Sequence, residues 1–317
     1  MTASIVVQLA AVPLAALIAS QAPAVQVSRL ARSIQPGEIV VLTIAATDPP
    51  GAVHVRAFDR DWPAFAVDER TWRVVVGIDL DVAPGDHGVA IRLDSSAGSI
   101  RHDETLTVAS KTFRTRQLTV DSAFVNPPAS AGARIAREAE ELAQLWQSSD
   151  VSPLWDGPFT AAVPHAANSA FGTRSIFNGE PRSAHGGADF RSPAGTPVRA
   201  PARGRVLLAR DLYYTGLTVM IDHGAGLISL FAHLSSIAVA PGAVVKPGEV
   251  LGKVGATGRV TGPHLHWTVR ASGARVDPLA VLHVLGTVPG TPRAPGPALD
   301  HLPRPSRLSR SMGGRDR

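Results

Sequence analysis

The sequence GATGRVTGPHLHW at residues 255–267 carries two histidines, His264 and His266, with a single leucine between them. Side chains two positions apart in a β-strand point to the same face, so a strand over this stretch would place both imidazoles side by side. One of them can bind a metal ion while the other stays free as an acid or base. The stretch therefore predicts a β-strand that carries part of a metal or catalytic site.

A second stretch, HGGADF at residues 185–190, places an imidazole and a carboxylate four positions apart. A helix would bring His185 and Asp189 to one face, but the Gly186-Gly187 pair favours a tight extended turn. Such a turn can bring both side chains to one ion. His233, in the sequence LFAHL, ends another predicted strand and adds a fourth imidazole.

Cysteine is absent from all 317 residues, which excludes disulfides, thiolate zinc sites, iron–sulfur clusters and cysteine nucleophiles. A metal ion must therefore be held by histidine, aspartate or glutamate. Two histidines and one carboxylate leave the fourth tetrahedral position open for water, an arrangement typical of catalytic zinc, which lowers the pKa of that water to about 7. The competing interpretation is that these histidines only pack on a glycine-rich sheet.

The other motifs point to no further chemistry. There is no HExxH sequence and no G-x-S-x-G elbow, so a helix-borne zinc protease site and that route of serine hydrolysis lack support. His223, in the sequence IDHG, is interpreted as structural. The remaining histidines lack partners at ligand spacing: His54, His87, His102, His165, His283 and His301.

The N-terminus predicts an export signal or N-terminal anchor over residues 1–24. The chain is almost entirely apolar from Ala3 to Ala19, and the small residues Ser20 and Ala22 offer a cleavage point. Retention as a membrane anchor is one alternative, although Pro13 and the alanine-rich composition disfavour a span, and a soluble helix is the other. Without cysteine, no lipid anchor is expected. We therefore expect an exported protein of the periplasm or cell envelope.

The length and composition predict about two domains with packed cores, since 44% of residues are hydrophobic and 18% charged. Short β-branched stretches separated by Pro-Gly turns predict an immunoglobulin-like β-sandwich over residues 25–120. Its predicted strands are Glu38–Ala46, Ala52–Phe58, Arg73–Asp79 and Gly88–Leu93. Residues 121–157 are predicted to be a helical linker, with Ser130 capping a helix that runs to about Ser148.

Residues 158–286 are predicted to form a second β-rich domain. Its predicted strands are Gly204–Arg210, Leu217–Asp222, Gly226–Phe231, Val250–Val254 and Leu265–Val269. Residues 287–317 are rich in Pro, Gly, Ser and Arg and are predicted to be a disordered basic tail. The net charge of +5 suits an anionic polymer, but the absence of a basic–aromatic stripe argues against nucleic acid.

Residues 168–280 resemble the M23 zinc metallopeptidases, the lysostaphin/LytM-like peptidoglycan endopeptidases. The resemblance rests on the stretches already quoted and on FGTR at 171–174, PAGTPV at 193–198 and IDHG at 221–224. It implies a mainly β fold with an antiparallel sheet and a groove that has zinc at its floor. By the same resemblance His185, Asp189 and His266 match the zinc ligands, and His233 and His264 match two active-site histidines that do not bind the metal.

The resemblance further implies a zinc-dependent endopeptidase that hydrolyses peptide stems or cross-bridges of bacterial peptidoglycan. His264 is the first choice for the general base, and His233 would stabilise the oxyanion or donate to the leaving amine, although the two roles could be reversed. We expect activity to fall below about pH 6, as histidines protonate.

Two other functions remain as alternatives. A non-catalytic LytM-type domain would activate a separate cell-wall amidase, but such domains usually lack one or more ligands. In the other alternative, the front domain anchors the protein to the wall or to envelope partners. The sequence indicates neither the bond that is cleaved nor the oligomeric state, and it does not indicate whether the enzyme is latent.

Overall fold

The computed structural model describes residues 24–96, 98–119, 127–167, 171–181 and 183–286. The predicted export signal, apart from residue 24, and the predicted tail lie outside the described residues. The described part is mainly β, as the sequence predicts, with antiparallel pairing throughout one nine-stranded and two four-stranded sheets. Within these ranges, no helix combines the length and the apolar character that crossing a membrane requires.

The front region consists of two four-stranded antiparallel sheets, an arrangement compatible with the predicted sandwich. One has the order β1-β2-β6-β5 and the other β4-β3-β7-β8. Alternate residues such as Val89, Ile91 and Leu93 are buried in one core, because successive side chains of a strand point to opposite faces. The strands are β1 (Val25–Ala31), β2 (Ile39–Ala46), β3 (Ala52–Ala57), β4 (Arg60–Trp62), β5 (Ala64–Ala66), β6 (Thr71–Gly77), β7 (Gly85–Ser95) and β8 (Gly98–Val108).

The connecting region contains a short strand, β9 (Thr115–Leu118), and a helix, α1 (Gly132–Leu145). The prediction that Ser130 caps this helix is wrong, because Ser130 lies in a preceding 3₁₀ turn, Ala129–Ala131, and no side chain caps α1. The helix also ends earlier than predicted. Its apolar face packs on a second buried cluster, which lies on one face of the central sheet of the following region.

That following region is built on a nine-stranded antiparallel sheet with the main order β12-β19-β16-β15-β14-β17. β18 pairs with β13 and β16, β20 pairs with β19, and β9 joins β10 and β11 in a separate small sheet. The elements are β10 (Arg174–Phe177), β11 (Glu180–Pro181), β12 (Gly187–Phe190), β13 (Pro197–Arg199), β14 (Gly204–Leu212), β15 (Gly216–Gly224), β16 (Leu227–Ile237), β17 (Val244–Val245), β18 (Val250–Val254), β19 (Leu265–Ala271), β20 (Ala274–Val276) and α2 (Pro278–Leu285).

The front region and the nine-stranded sheet share one buried apolar cluster. At their junction, Gly77 at the end of β6 lies so close to β19 and β20 that a Cβ there would come within 2.9 Å of the Ala271 side chain. Three ion pairs cross the same junction: Arg275 pairs with Asp79 and with Asp81, and Arg32 pairs with Asp277. The predicted boundaries at residues 25–120, 121–157 and 158–286 stay predictions.

Candidate functional site

The pairing of β12, β19 and β16 brings the site together. Asp189 of β12 lies directly opposite His266 of β19, which lies opposite Ala232 of β16. His264 comes two positions before His266, so both point to the face that Asp189 shares. The extended turn predicted for residues 185–189 is present, since β12 begins at Gly187.

His233 reaches this site through an irregularity in β16. The sequence predicts that it ends a strand, but β16 continues to Ile237. In a regular pleat His233 would point away from the face of its neighbour Ala232. Its backbone instead has a φ of 63°, and the pairing register of β16 shifts just beyond it. Left-handed backbone is uncommon for a residue with a side chain and recurs where a strand re-aims a functional group.

Three ligand-type atoms converge at the centre of the site. Nε2 of His185 lies 3.0 Å from Nδ1 of His266, and Oδ1 of Asp189 lies 3.2 Å and 2.9 Å from these two nitrogens. Among the described residues, these three form the group whose geometry could hold a metal ion. All three are partly buried, at the floor of a cleft.

This group fits zinc in both donor chemistry and spacing. Imidazole nitrogen and carboxylate oxygen are zinc ligands with bonds of about 2.0–2.1 Å, which places neighbouring tetrahedral ligand atoms about 3.3 Å apart. Nδ1 of His185 is buried with no hydrogen-bond partner in the described structure, and the other ring nitrogen, Nε2, is the one that faces Asp189. Nε2 of His266 lies 2.9 Å from the hydroxyl of Thr268, so in this ring it is Nδ1 that faces Asp189 and His185.

Backbone carbonyls fix the tautomers of the other two histidines. Nδ1 of His233 donates to the carbonyl oxygen of Thr257 at 3.0 Å, and Nδ1 of His264 donates to that of Gly262 at 2.9 Å. Because a carbonyl can only accept, each Nδ1 carries the proton, and in the neutral ring each Nε2 keeps a lone pair. Nε2 of His264 lies 3.8 Å from Oδ1 of Asp189. One of these lone pairs therefore lies beside His185, Asp189 and His266, which are called the ligand group below.

Burial and neighbouring charges set the protonation of the cluster. Burial alone would raise the pKa of Asp189, but hydrogen bonds from His185 and His266 outweigh it and hold that pKa well below its usual range. Burial lowers the pKa of His266, against the pull of Asp189, and lowers the pKa of His233 to about 4. At neutral pH the site therefore combines an ionised carboxylate with at least two uncharged imidazoles.

His223, which the sequence assigns a structural role, lies outside this cluster. Its ring is fully buried between the carbonyl oxygen of Arg203, 3.1 Å from Nδ1, and the hydroxyl of Ser229, 3.0 Å from Nε2. His165 hydrogen bonds with the hydroxyl of Ser192 at 3.0 Å. Neither histidine is among the three residues whose atoms converge where a metal ion could bind.

The cleft above the five site residues has a volume of about 850 Å³. Its walls include residues that sequence reasoning did not single out, among them Arg116, Phe177, Tyr214 and Arg259. Thr257 and Thr268 were also missed, although they hold the rings of His233 and His266. Thr268 follows His266 at the same-face spacing of a strand, so the alternation around GPHLHWT is the signal that could have found it.

The described residues thus form a β-sheet protein with a His–Asp–His group in a cleft. A model of peptidase family M23 matches residues 183–278. A solved structure from Pseudomonas aeruginosa, assigned to peptidase M23, is 33% identical, covers 80% of this chain and 96% of its own, and has a TM-score of 0.61. The chain belongs to peptidase family M23.

Two curated relatives match a shorter part of the chain. DD-carboxypeptidase/endopeptidase Mpg of Neisseria meningitidis is 47% identical over 97 residues, 31% of this chain and 22% of that protein. Peptidoglycan DD-endopeptidase ShyA of Vibrio cholerae is 43% identical over 93 residues, 29% of this chain and 22% of that protein. The match thus spans little more than a fifth of the length of either relative.

Proposed function

We propose that this protein is a zinc-dependent endopeptidase that hydrolyses peptide cross-links of bacterial peptidoglycan. The observation that carries the proposal is the convergence of three ligand atoms, from His185, Asp189 and His266, beside two imidazoles with free acceptor nitrogens. Mpg and ShyA support the choice of substrate, since their names describe endopeptidases and ShyA is named for peptidoglycan.

The three ligand residues would hold the metal through the atoms that already face one another. When bound there, zinc supplies Lewis-acid chemistry, which polarises a carbonyl and makes a water more acidic. The pairing of β12 with β19 places Asp189 directly opposite His266 and so sets the distance between these two ligand residues. Pre-positioned ligands reduce the ordering that binding would otherwise require.

His264 is our first choice for the general base. Its Nε2 lone pair lies 3.8 Å from Asp189 Oδ1, close enough to the ligand group to accept a proton from an attacking water there. Once protonated at both nitrogens, the same ring can donate that proton to the leaving amine. The contact with the Gly262 carbonyl holds the ring in orientation through both steps.

His233 has the same tautomer, which changes the role expected from the sequence. A neutral ring whose proton points to Thr257 offers a lone pair at Nε2, so it can orient a water or share the role of base. Donation to an oxyanion would require the charged ring, and burial disfavours that form by lowering the pKa to about 4. His233 therefore stays neutral near about pH 6, where activity is expected to begin to fall.

A cell-envelope location follows from the proposed substrate, and the net charge of +5 suits an anionic wall polymer. The alternative, a non-catalytic activator of an amidase, is disfavoured because this chain keeps every ligand and both additional histidines.

Digestion of purified peptidoglycan sacculi tests the proposal. Mass spectrometry of the released muropeptides should show loss of cross-linked dimers with the wild-type protein, and the mass of the products identifies the bond. A metal chelator, His266→Ala and His233→Ala should each abolish the loss. Intact cross-links after treatment with zinc-loaded wild-type protein, on walls from both direct and glycine-bridged cross-linking types, would contradict the proposal.

A further inference from the structure

One wall of the cleft comes from outside the segment that the family model matches. Strand β9, which follows the front region in the chain, pairs in parallel with β10, and this pairing places Arg116 opposite Ser175. Arg116 lines the same cleft as the ligand group. The rest of the cleft comes mainly from residues 185–266, so β9 adds a basic side chain that this segment does not itself supply.

Ser175 fixes the orientation of Arg116. Nε of Arg116 donates to the hydroxyl of Ser175 at 2.9 Å, and Ser175 is buried in β10. This contact uses one edge of the guanidinium and leaves the two terminal nitrogens, Nη1 and Nη2, as a parallel pair of donors. Among the described residues, no carboxylate lies within ion-pair distance of Arg116. An anchored guanidinium with an uncommitted outer edge has the geometry that binds a carboxylate in a bidentate manner.

The charges around the cleft favour an anionic occupant. Arg191 and Arg259 line the same cleft, and the guanidinium of Arg259 lies 4.6 Å from the ring centre of Tyr214. Asp189 is the single carboxylate among the described residues that line it, and a bound cation would neutralise its charge. A concave surface with arginines along its walls concentrates negatively charged ligands by long-range attraction.

We propose that Arg116, held by Ser175, binds a free carboxylate on the peptide that adjoins the scissile bond. This inference rests on the proposed function and narrows it to a substrate class: cross-linked peptides that carry free carboxylates, in preference to uncharged glycine bridges. Arg116 is then a specificity-determining residue that contacts substrate at a distance from the reacting atoms.

A contribution to folding stability does not explain why Ser175 holds the Arg116 side chain. Arg116 is exposed, and the one side-chain hydrogen bond that it makes within the described part of the chain, to Ser175, involves no opposite charge. Exposed contacts of this kind contribute little to folding, so Arg116→Gln should leave the melting temperature unchanged. A change in substrate preference would therefore reflect binding.

Two synthetic cross-linked peptides provide the test, identical except that the carboxylates beside the scissile bond are free in one and amidated in the other. Wild-type protein should have a KM about tenfold lower for the free acid, the effect expected of one charge-assisted bidentate contact with bound substrate. Arg116→Gln should raise KM for the acid about tenfold, with kcat and the KM for the amide unchanged. Arg116→Lys should lie between the two, because a lysine cannot make the bidentate contact.

Arg137→Gln is the matched control, since it removes the same charge from the exposed face of α1, outside the cleft. It should behave as wild type on both peptides. Equal effects of Arg116→Gln on acid and amide, or no effect on either, would overturn the carboxylate proposal while leaving the endopeptidase intact. If wild type cleaves neither peptide, the proposed function fails, and calorimetric binding of the two peptides to wild type and Arg116→Gln still decides the role of Arg116.

Discussion

Thr268 places its hydroxyl 2.9 Å from Nε2 of His266, on the side of the ring away from the ligand group. This contact fixes which nitrogen of His266 faces Asp189. Outer hydrogen bonds of this kind orient metal-binding histidines and raise their basicity, and their loss typically lowers metal affinity by about 10–100-fold. We therefore expect Thr268→Val to weaken zinc binding by that factor, measured by competition with a chromophoric chelator.

Thr268→Ser is the control, because it keeps the hydroxyl and loses only a methyl group. It should bind zinc nearly as wild type does. Wild-type affinity in Thr268→Val would mean that the hydroxyl has no part in the metal centre, whatever the ligands are.

A buried histidine outside the site predicts how stability depends on pH. Burial lowers the pKa of His223 to about 4 in the folded protein, against an ordinary value of 6.5. Between these values the unfolded chain binds one more proton than the folded chain. The free energy of unfolding is therefore not reduced by His223 above pH 6.5. As the pH falls toward 4 it decreases by about 1.4 kcal/mol per pH unit, and by about 3 kcal/mol in all.

Denaturant unfolding of wild type and His223→Gln, both with chelator present, measures this effect. The variant should be less stable at pH 7.5, because a buried hydrogen-bonded ring is lost, and the difference should shrink as the pH falls to 4.5. Between pH 7.5 and 8.5 the difference should be constant. A difference that does not change with pH down to 4.5 would contradict a neutral His223 in the folded state.

The irregular part of β16 depends on how the loop at residues 255–262 is held. The hydroxyl of Thr257 donates to Leu234 and accepts from the backbone N–H of Leu217, while its carbonyl oxygen accepts from His233. Gly258 makes this contact possible, because a Cβ there would lie 2.4 Å from the backbone nitrogen of Gly216. The close approach of two backbones thus positions the ring of His233.

Gly258→Ala should therefore lower kcat/KM by about 10–100-fold, since displacing the loop moves the carbonyl that holds His233. Gly242→Ala is the matched control, because Gly242 has a similar left-handed φ of 82° but open space where the Cβ would lie. It should cost about 1–2 kcal/mol of stability through backbone strain and leave activity unchanged. Equal activity of the two variants would show that the loop tolerates displacement.

Local patterns predicted those strands of the fold that are rich in β-branched residues. Val250–Val254 is a strand with the predicted bounds, and the predicted Ala52–Phe58 differs from β3 by one residue. Strand β8 was not predicted, because its polar and charged residues on an exposed face carry little hydrophobic signal. Helix α2 was not predicted either, although Asp277 caps it and Pro278 opens it, which is a local signal in the sequence.

The candidate site was predictable to the extent that its residues occur in short motifs. All five residues predicted for it line one cleft, because two motifs lie at the paired strands β12 and β19 and the third lies in β16, which pairs with β19. Their roles stay predictions. Arg116 was not predictable, since it reaches the cleft through a parallel pairing between segments almost 60 residues apart. No local pattern encodes a contact that depends on where the front region places β9.

At the scale of the whole molecule, the front region and the region built on the nine-stranded sheet share one hydrophobic core. Their buried apolar side chains form one cluster, and Arg32 contacts both Glu38 of the front region and Asp277 at the start of α2. Removing residues 25–120 would expose part of this cluster to water. A deletion therefore tests folding as well as any targeting role of the front region, and a single substitution at the junction is the more selective experiment.

Gly77→Val is that substitution, since the new Cβ would lie within about 3 Å of the Ala271, Ala274 and Val276 side chains. Overpacking of a well-packed interior costs about 1–3 kcal/mol, which corresponds to a loss of about 3–10 °C in melting temperature for a unit of this size. Because the core is shared, calorimetry of wild type should show one cooperative transition, and Gly77→Val should shift the whole of it.

Gly88→Val in β7 is the control, because a Cβ at Gly88 meets no atom within 4 Å and a β-branched residue suits a strand. It should leave the melting temperature within about 2 °C of wild type. Two separate transitions, only one of which moves in Gly77→Val, would instead show that the regions unfold independently. In that case β9 and Arg116 would leave the cleft while the nine-stranded sheet stays folded. On heating, the preference for the free-acid peptide should then be lost at a lower temperature than hydrolysis.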